Sequence, residues 1–195
     1  MTKLEDNKEK YLKICNETIR REGIADLLNW LQNSDFFIAP ASTKFHGNYA
    51  GGLCEHSLNV YEILCGLCST YVPGAYTNEE IAISALFHDL CKVNFYKQET
   101  RNVKDENGNW TKKQVWTIDE KFPGGDHADK SLVIIQNYMK LHPDEILAIR
   151  AHMGGFDTTV RGGSFMIGNI FAKSKLAVLL HSADLIASNV FEVKV

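Results

Sequence analysis

The dipeptide His88-Asp89 closes the apolar run Ile81-Ala-Ile-Ser-Ala-Leu-Phe87 and leads into Leu90-Cys-Lys92. Burying a carboxylate at the end of an apolar helix costs on the order of several kcal/mol unless a cation or hydrogen bonds compensate it, and a divalent metal compensates it best. Other residues of the same types recur in similar settings: His56 in Gly51-Gly-Leu-Cys-Glu-His-Ser-Leu58, His127 in Pro123-Gly-Gly-Asp-His127, His152 in Arg150-Ala-His-Met-Gly154 and Asp184 in His181-Ser-Ala-Asp-Leu-Ile-Ala187. Each falls at a helix start or end, or inside an apolar helical stretch, and together they read as one metal centre assembled from five segments. Imidazole nitrogens and carboxylate oxygens suit iron, manganese, zinc, cobalt or nickel, and one carboxylate can bridge two ions. With no cysteine among the candidates, a thiolate zinc site of structural type is disfavoured. An open site with water positions is favoured, which points to catalysis.

The helical period dominates the segments that must position these groups. Leu4 to Arg21 is a charged, mildly amphipathic helix, broken by Gly23 before a short helix over Ala25 to Gln32, and Phe36 to Pro40 is an apolar connector. From Leu53 to Tyr71 the residues His56, Val60, Ile63 and Leu67 follow one stripe, so His56 faces the core. Asn78-Glu-Glu-Ile81 caps the next helix, which runs to Cys91 with His88 and Asp89 on its last turn. Tyr96 to Lys104 and Trp110 to Ile118 are rich in Thr, Val, Tyr and Trp and flank Asn107-Gly108, a turn signal, so a β-hairpin is inserted in a helical domain. His127 to Leu141 and Asp144 to Met153 are helices separated by His142-Pro143, Gly154 to Gly168 reads as a loop, and Phe171 to Phe191 as one long apolar helix.

A chain of 195 residues with 45% hydrophobic content suffices for one domain with a substantial core. The net charge of −3 gives no global attraction to polyanions, so nucleic-acid binding would need a local basic patch. No apolar run is long enough to span a bilayer and the first residues lack an apolar signal core, so a cytoplasmic protein without membrane contact is expected. Five cysteines, three of them (Cys54, Cys65, Cys68) in one helical stretch, suit reduced core thiols better than a disulfide framework.

The order His56, His88-Asp89, His127, His152, Asp184 resembles the HD-domain superfamily of metal-dependent phosphohydrolases over roughly residues 36 to 190. Pro40-Ala-Ser-Thr-Lys-Phe-His46 with Gly51-Gly-Leu-Cys-Glu-His56 is similar to the entry segment of HD domains of the 3'-to-5' exoribonuclease group and related bacterial and phage hydrolases. Phe122-Pro-Gly-Gly-Asp-His-Ala-Asp-Lys-Ser131 and Ala148-Ile-Arg-Ala-His-Met-Gly-Gly-Phe156 resemble its small stand-alone members. The resemblance implies a mainly α fold, a single HD-domain helical bundle with the β-hairpin around residues 96–118 inserted in it. Residues 1–35 would be N-terminal helices packing on a hydrolase domain of residues 36–195. It implies further that His56, His88, Asp89 and Asp184 hold a first divalent ion, of Mn, Fe, Ni, Co, Zn or Mg. Asp89 would bridge to a second ion held by His127 and His152.

Two-metal chemistry would have a metal-bound hydroxide attack phosphorus in line, with Asp89 and Lys92 as the catalytic groups. Lys92 would stabilise the phosphate, Lys130 lies on the same helical face as His127, and Arg161 and His46 stand in loops beside the site, so all four are candidates for substrate contact. Plainer readings accompany them. Lys92 could only complement a helix dipole, His46 could be an ordinary loop histidine, and His181 could support a ligand from behind or simply fill the core. Tyr96, Trp110 and Trp116 could stack a base or pack across the strands. The expected substrate is a phosphate mono- or diester of a nucleotide, or an RNA or DNA end. A di-iron oxygenase of the same superfamily and a non-catalytic metal-binding regulatory module are the alternatives.

Overall fold

The computed structural model describes residues 2–121 and 125–192, so Phe122, Pro123 and Gly124 of the Gly-Gly-Asp-His segment lie outside the described residues. The fold is mainly α, with one two-stranded antiparallel sheet among the described residues. The helices are α1 (Lys3–Thr18), α2 (Ile24–Gln32), α3 (Gly52–Tyr71), α4 (Asn78–Phe87), α5 (His127–Gln136), α6 (Pro143–Ala151), α7 (Thr158–Arg161), α8 (Met166–Phe171) and α9 (Lys175–Ile186). The strands are β1 (Tyr96–Lys104) and β2 (Trp110–Ile118). No helix is long and apolar enough to cross a membrane, among the described residues.

Helix α3 is the centre of the bundle, packing against α1, α4 and α9, while α6 packs against α9 and α5. Leu53, Val60 and Leu64 on α3 are fully buried with Ile83 and Leu86 on α4 and Leu176 and Leu180 on α9. Helix α1 contributes Tyr11 and Cys15 to the same core, and the Tyr11 hydroxyl donates to the Leu86 carbonyl at 2.9 Å. That bond satisfies a carbonyl near the end of α4, just before the chain turns into His88-Asp89.

Several boundaries differ from the sequence expectation, among them that of α5, which ends at Gln136 and not at Leu141, and four of them have a local reason. Helix α4 is capped by Thr77, not Asn78: its hydroxyl accepts from the Glu80 amide while the Glu80 carboxylate accepts from the Thr77 amide, a reciprocal box. The same helix ends at Phe87, with His88 in αR conformation and Asp89 at φ −109°, and a 3₁₀ turn, Leu90–Lys92, replaces its expected last turn. Residues 154–168 are not a plain loop but hold a 3₁₀ turn at Gly154–Phe156, α7 and the start of α8. The closing apolar stretch is interrupted because Ser174 caps α9, its hydroxyl accepting from the Ala177 amide, and after Ile186 the chain widens into a π turn over Ala187–Phe191.

The hairpin occupies the expected residues. Its register pairs Tyr96 with Ile118 and Lys104 with Trp110, and Gly108 takes φ +82° in the turn. The Asp105 carboxylate accepts from the Asn107 and Asn109 amides, at 2.9 and 2.8 Å, which fixes the turn without core contacts.

Candidate metal centre

Helix ends, not helix middles, deliver most of the candidate ligands. His88 and His152 are the C-terminal caps of α4 and α6, and His127 is the first residue of α5. His56 and Asp184 come from within α3 and α9. The side chains of His56, His88 and His152 are fully buried and that of Asp89 nearly so. The Nε2 atoms of His56 and His88 lie 3.6 and 3.4 Å from Asp89 Oδ2, that of His152 lies 3.7 Å from Oδ1, and His56 Nε2 is 3.2 Å from Asp184 Oδ1. Among the described residues three candidate ligand triads result, His46–His56–Glu192, His56–His88–Asp184 and His88–Asp89–His152, the atoms within each lying within 4.8 Å of one another.

The outer face of each imidazole is already committed. His88 Nδ1 bonds the Ala85 carbonyl at 2.8 Å and His152 Nδ1 the Ile149 carbonyl at 2.7 Å, the same three-residue reach at two helix ends. His56 Nδ1 meets the Glu192 carboxylate at 3.1 Å, and Asn59 donates to the same carboxylate at 2.9 Å. A carbonyl accepts only from N–H, so in His88 and His152 the proton sits on Nδ1 and the Nε2 lone pair is left facing inward. The Nε2 atoms of His56, His88 and His152 are buried without a hydrogen-bond partner. Inward lone pairs on His88 and His152, and a His56 ring that without an ion is held charged by Asp184 and Glu192, gather around one carboxylate and are costly unless a cation completes them, so the donor set fits a divalent metal.

Electrostatics agrees with that fit. Burial alone would raise the Asp89 carboxyl, but the Lys92 ammonium, 2.6 Å from Oδ2, and the neighbouring histidines hold it well below the carboxylate range. Burial also works against a charged His56, yet Asp184 and Glu192 outweigh it and push the imidazole up to about 9. Burial pushes the Cys91 thiol up to about 12, so it stays protonated beside Asp89.

The remaining expected residues divide. His127 lines the same cavity, with its Nδ1 3.5 Å from Cys91 Sγ, but it is in none of the three candidate triads. The cavity, about 1080 Å³, is also lined by Lys92, Arg161 and His46. His46 stacks beside His56 at 4.8 Å between ring centroids, and its buried Nε2 has no hydrogen-bond partner. Lys130 is not among the lining residues; it is buried and its ammonium is paired with Glu120. Arg150 turns away to Asp129 and Asp157, and His142 is half exposed beside Glu80. His181 donates from Nδ1 to the His152 carbonyl at 2.7 Å and so holds that ligand's backbone in place. Trp110 is exposed at the far end of the hairpin, under the Lys104 ammonium.

Two contributors escaped sequence reasoning. Glu192 orients His56 from the chain's last described residue, where no local pattern marks it. Asp126, whose carboxylate accepts from the His127 amide at 2.6 Å and from the Thr158 hydroxyl at 3.0 Å, caps α5 and ties it to α7. The Asp-x-x-Asp spacing of Asp126 and Asp129, a helix-start signature, could have shown it.

A helical bundle that converges buried histidines on a helix-terminal aspartate defines a class of metal-site domain. The HD domain profile matches residues 53–188, and the chain belongs to that family. Among curated proteins, the chain is similar to the dihydroneopterin 2',3'-cyclic phosphate phosphodiesterase of Methanocaldococcus jannaschii, 26% identical over 160 residues. That match covers 80% of this chain and 54% of the relative, so the chain spans about half the relative's length. No solved structure matches the chain.

Proposed function

We propose that this chain is a metal-dependent phosphohydrolase that hydrolyses a phosphate ester of a nucleotide-like molecule. The observation that carries the reading is the set of unpartnered Nε2 atoms around Asp89, where Asp89 and His152 line a cavity that Lys92, Lys44, Lys113 and Arg161 also line. A neutral, dry metal pocket would not need four cations along its walls, whereas a phosphoryl group does. His56, His88, Asp89 and Asp184 would hold one divalent ion, and Asp89, His127 and His152 a second. Bound there, the ions would supply an activated water and neutralise charge on the phosphoryl oxygens. Lys92 contributes a cation at the same edge of Asp89, and Arg161 and Lys44 give the phosphate a second hold. The relative named above acts on a cyclic phosphodiester, which favours a phosphodiester over a monoester as the first substrate class to try. Five free cysteines fit a reducing cytoplasm.

Metal analysis of the purified chain, followed by a panel of nucleotide mono- and diesters with manganese under anaerobic conditions, tests the reading. About two ions per chain and oxygen-independent release of phosphate or of a hydrolysed diester are expected. Substrate loss that requires iron and consumes oxygen would replace it with the oxygenase alternative, and tight metal binding without any turnover would favour a regulatory module.

A further inference from the structure

The cavity is far larger than a phosphoryl group requires; about 1080 Å³ is at the upper end of what whole small-molecule ligands occupy. Its base is polar and charged, but two phenylalanines also line it, and both are largely in solvent: Phe45 is 82% exposed and Phe156 59%. Neither ring is stacked on another aromatic side chain among the described residues.

Both rings are held out by ordered backbone. The Ser42 hydroxyl accepts from the Phe45 amide at 2.8 Å and donates to the His46 carbonyl at 2.7 Å, while the Ala41 amide donates to the Gly47 carbonyl at 3.0 Å, closing the turn. Gly47 sits at φ +56°, and a Cβ there would fall 2.6 Å from that of Ala41, so the turn has little room to rearrange. Phe156 ends the 3₁₀ turn Gly154–Phe156, its amide donating to the Met153 carbonyl at 3.0 Å, and the next residue, Asp157, is anchored to Arg150 at 2.5 Å. A fixed backbone presenting exposed aromatic rings beside a phosphate-sized charged base has the chemistry of a stacking platform.

We propose that Phe45 and Phe156 form a subsite for a planar heterocycle, so that the substrate is a phosphoester carrying a nucleobase-like ring rather than a sugar phosphate or a simple alkyl ester. This rests on the phosphohydrolase reading and names the substrate class of the same site. The cations and metal ligands take the phosphoryl end, and the two rings take the other end of one molecule.

The test pairs substrates that differ only in the ring: adenosine and abasic ribose, each as the 2',3'-cyclic phosphate and as the 5'-phosphate, with manganese-loaded protein. Phe45→Ala and Phe156→Ala are expected to lower kcat/KM for the adenosine ester about tenfold more than for its abasic partner, mainly through KM, with metal content unchanged. Phe45→Trp should restore the preference. Phe165 is 85% exposed but does not line the cavity, so Phe165→Ala should change nothing. Equal losses on both partners, or no loss on the adenosine ester, would overturn the proposal. If wild type hydrolyses none of the four esters, the phosphohydrolase reading fails for them, and calorimetric binding of adenosine 5'-phosphate against ribose 5-phosphate decides the subsite alone. Tighter binding of the adenosine ligand, lost in both alanine variants, supports it; equal or absent binding overturns it.

Discussion

Lys92 Nζ lies 2.6 Å from Asp89 Oδ2, so a cation is held by the carboxylate that His56, His88 and His152 surround. The pair is three residues apart across the 3₁₀ turn and largely buried; burial works against the ammonium's charge, and the Asp89 carboxylate outweighs it and keeps the cation at the edge of the site. Lys92→Ala should lower turnover roughly a hundredfold or more, since one preorganised cation contributes about 3 kcal/mol to such a step. Metal content by atomic emission should stay near wild type. A parallel loss of metal would mean that the lysine serves the site's assembly and not the chemistry.

Glu192 holds His56 from its Nδ1 side, at 3.1 Å. Glu192→Gln keeps the shape but removes the charge that orients Nδ1–H, and it should weaken metal affinity by about tenfold to a hundredfold. Competition against a fluorescent chelator measures this directly. Asp89→Ala should abolish binding of both ions, whereas His127→Ala should weaken mainly one.

The metal-free protein should lose stability as pH rises. The folded-state pKa of His56 is raised from 6.5 to about 9 because Asp184 and Glu192 outweigh the cost of burial. A raised histidine stabilises fully below its unfolded value and gives that contribution up as pH climbs through the folded one. Thermal melts in chelator should therefore fall between pH 6.5 and 9. Metal binding needs the neutral ring, so affinity should rise over the same window and uptake should release a proton. A melting temperature flat across that window would remove His56 from the charged network.

Gly154 cannot carry a side chain. It sits at φ +53°, and a Cβ there would lie 2.2 Å from His181 Cε1. Gly154→Ala should cost about 2 kcal/mol or more in denaturant unfolding, through strain and displacement of the ring. Because His181 holds the His152 carbonyl, metal affinity should fall as well.

Much of this cluster was legible because most of its candidate ligands are helix-end residues flanked by apolar runs: the stripe through His56 and the run before His88 mark burial from sequence alone. The hairpin was legible to the residue, since Asn107-Gly108 and the β-branched flanks agree with each other. What stayed hidden depends on three-dimensional closure. Glu192 reaches His56 across 136 positions, and the destination of Lys130, a pairing with Glu120, is set by where the hairpin returns to the bundle. Helix ends were misplaced where a hydroxyl cap interrupts an apolar run, as Ser174 does before α9.

Shortening the hairpin should separate selectivity from metal chemistry. Replacing residues 101–113 by a two-residue turn removes Lys113 from the cavity wall but no ligand. KM should rise or substrate choice broaden, with metal content and far-UV circular dichroism of the helices unchanged. Loss of metal or of cooperative unfolding would make the strands part of the core.

The two ends of that insertion meet: the Asp119 amide donates to the Phe95 carbonyl at 2.8 Å, so the chain leaves the bundle and re-enters it at nearly one point. A segment attached at such a neck can be lengthened, trimmed or exchanged without altering the spacing of the helices that bear the ligands. On the proposed reading, the helices that would bear the metal and the hairpin that adds Lys113 to the cavity wall are thereby free to change at different rates, and grafting a foreign hairpin between Phe95 and Asp119 becomes a route to altered specificity with the histidine cluster intact.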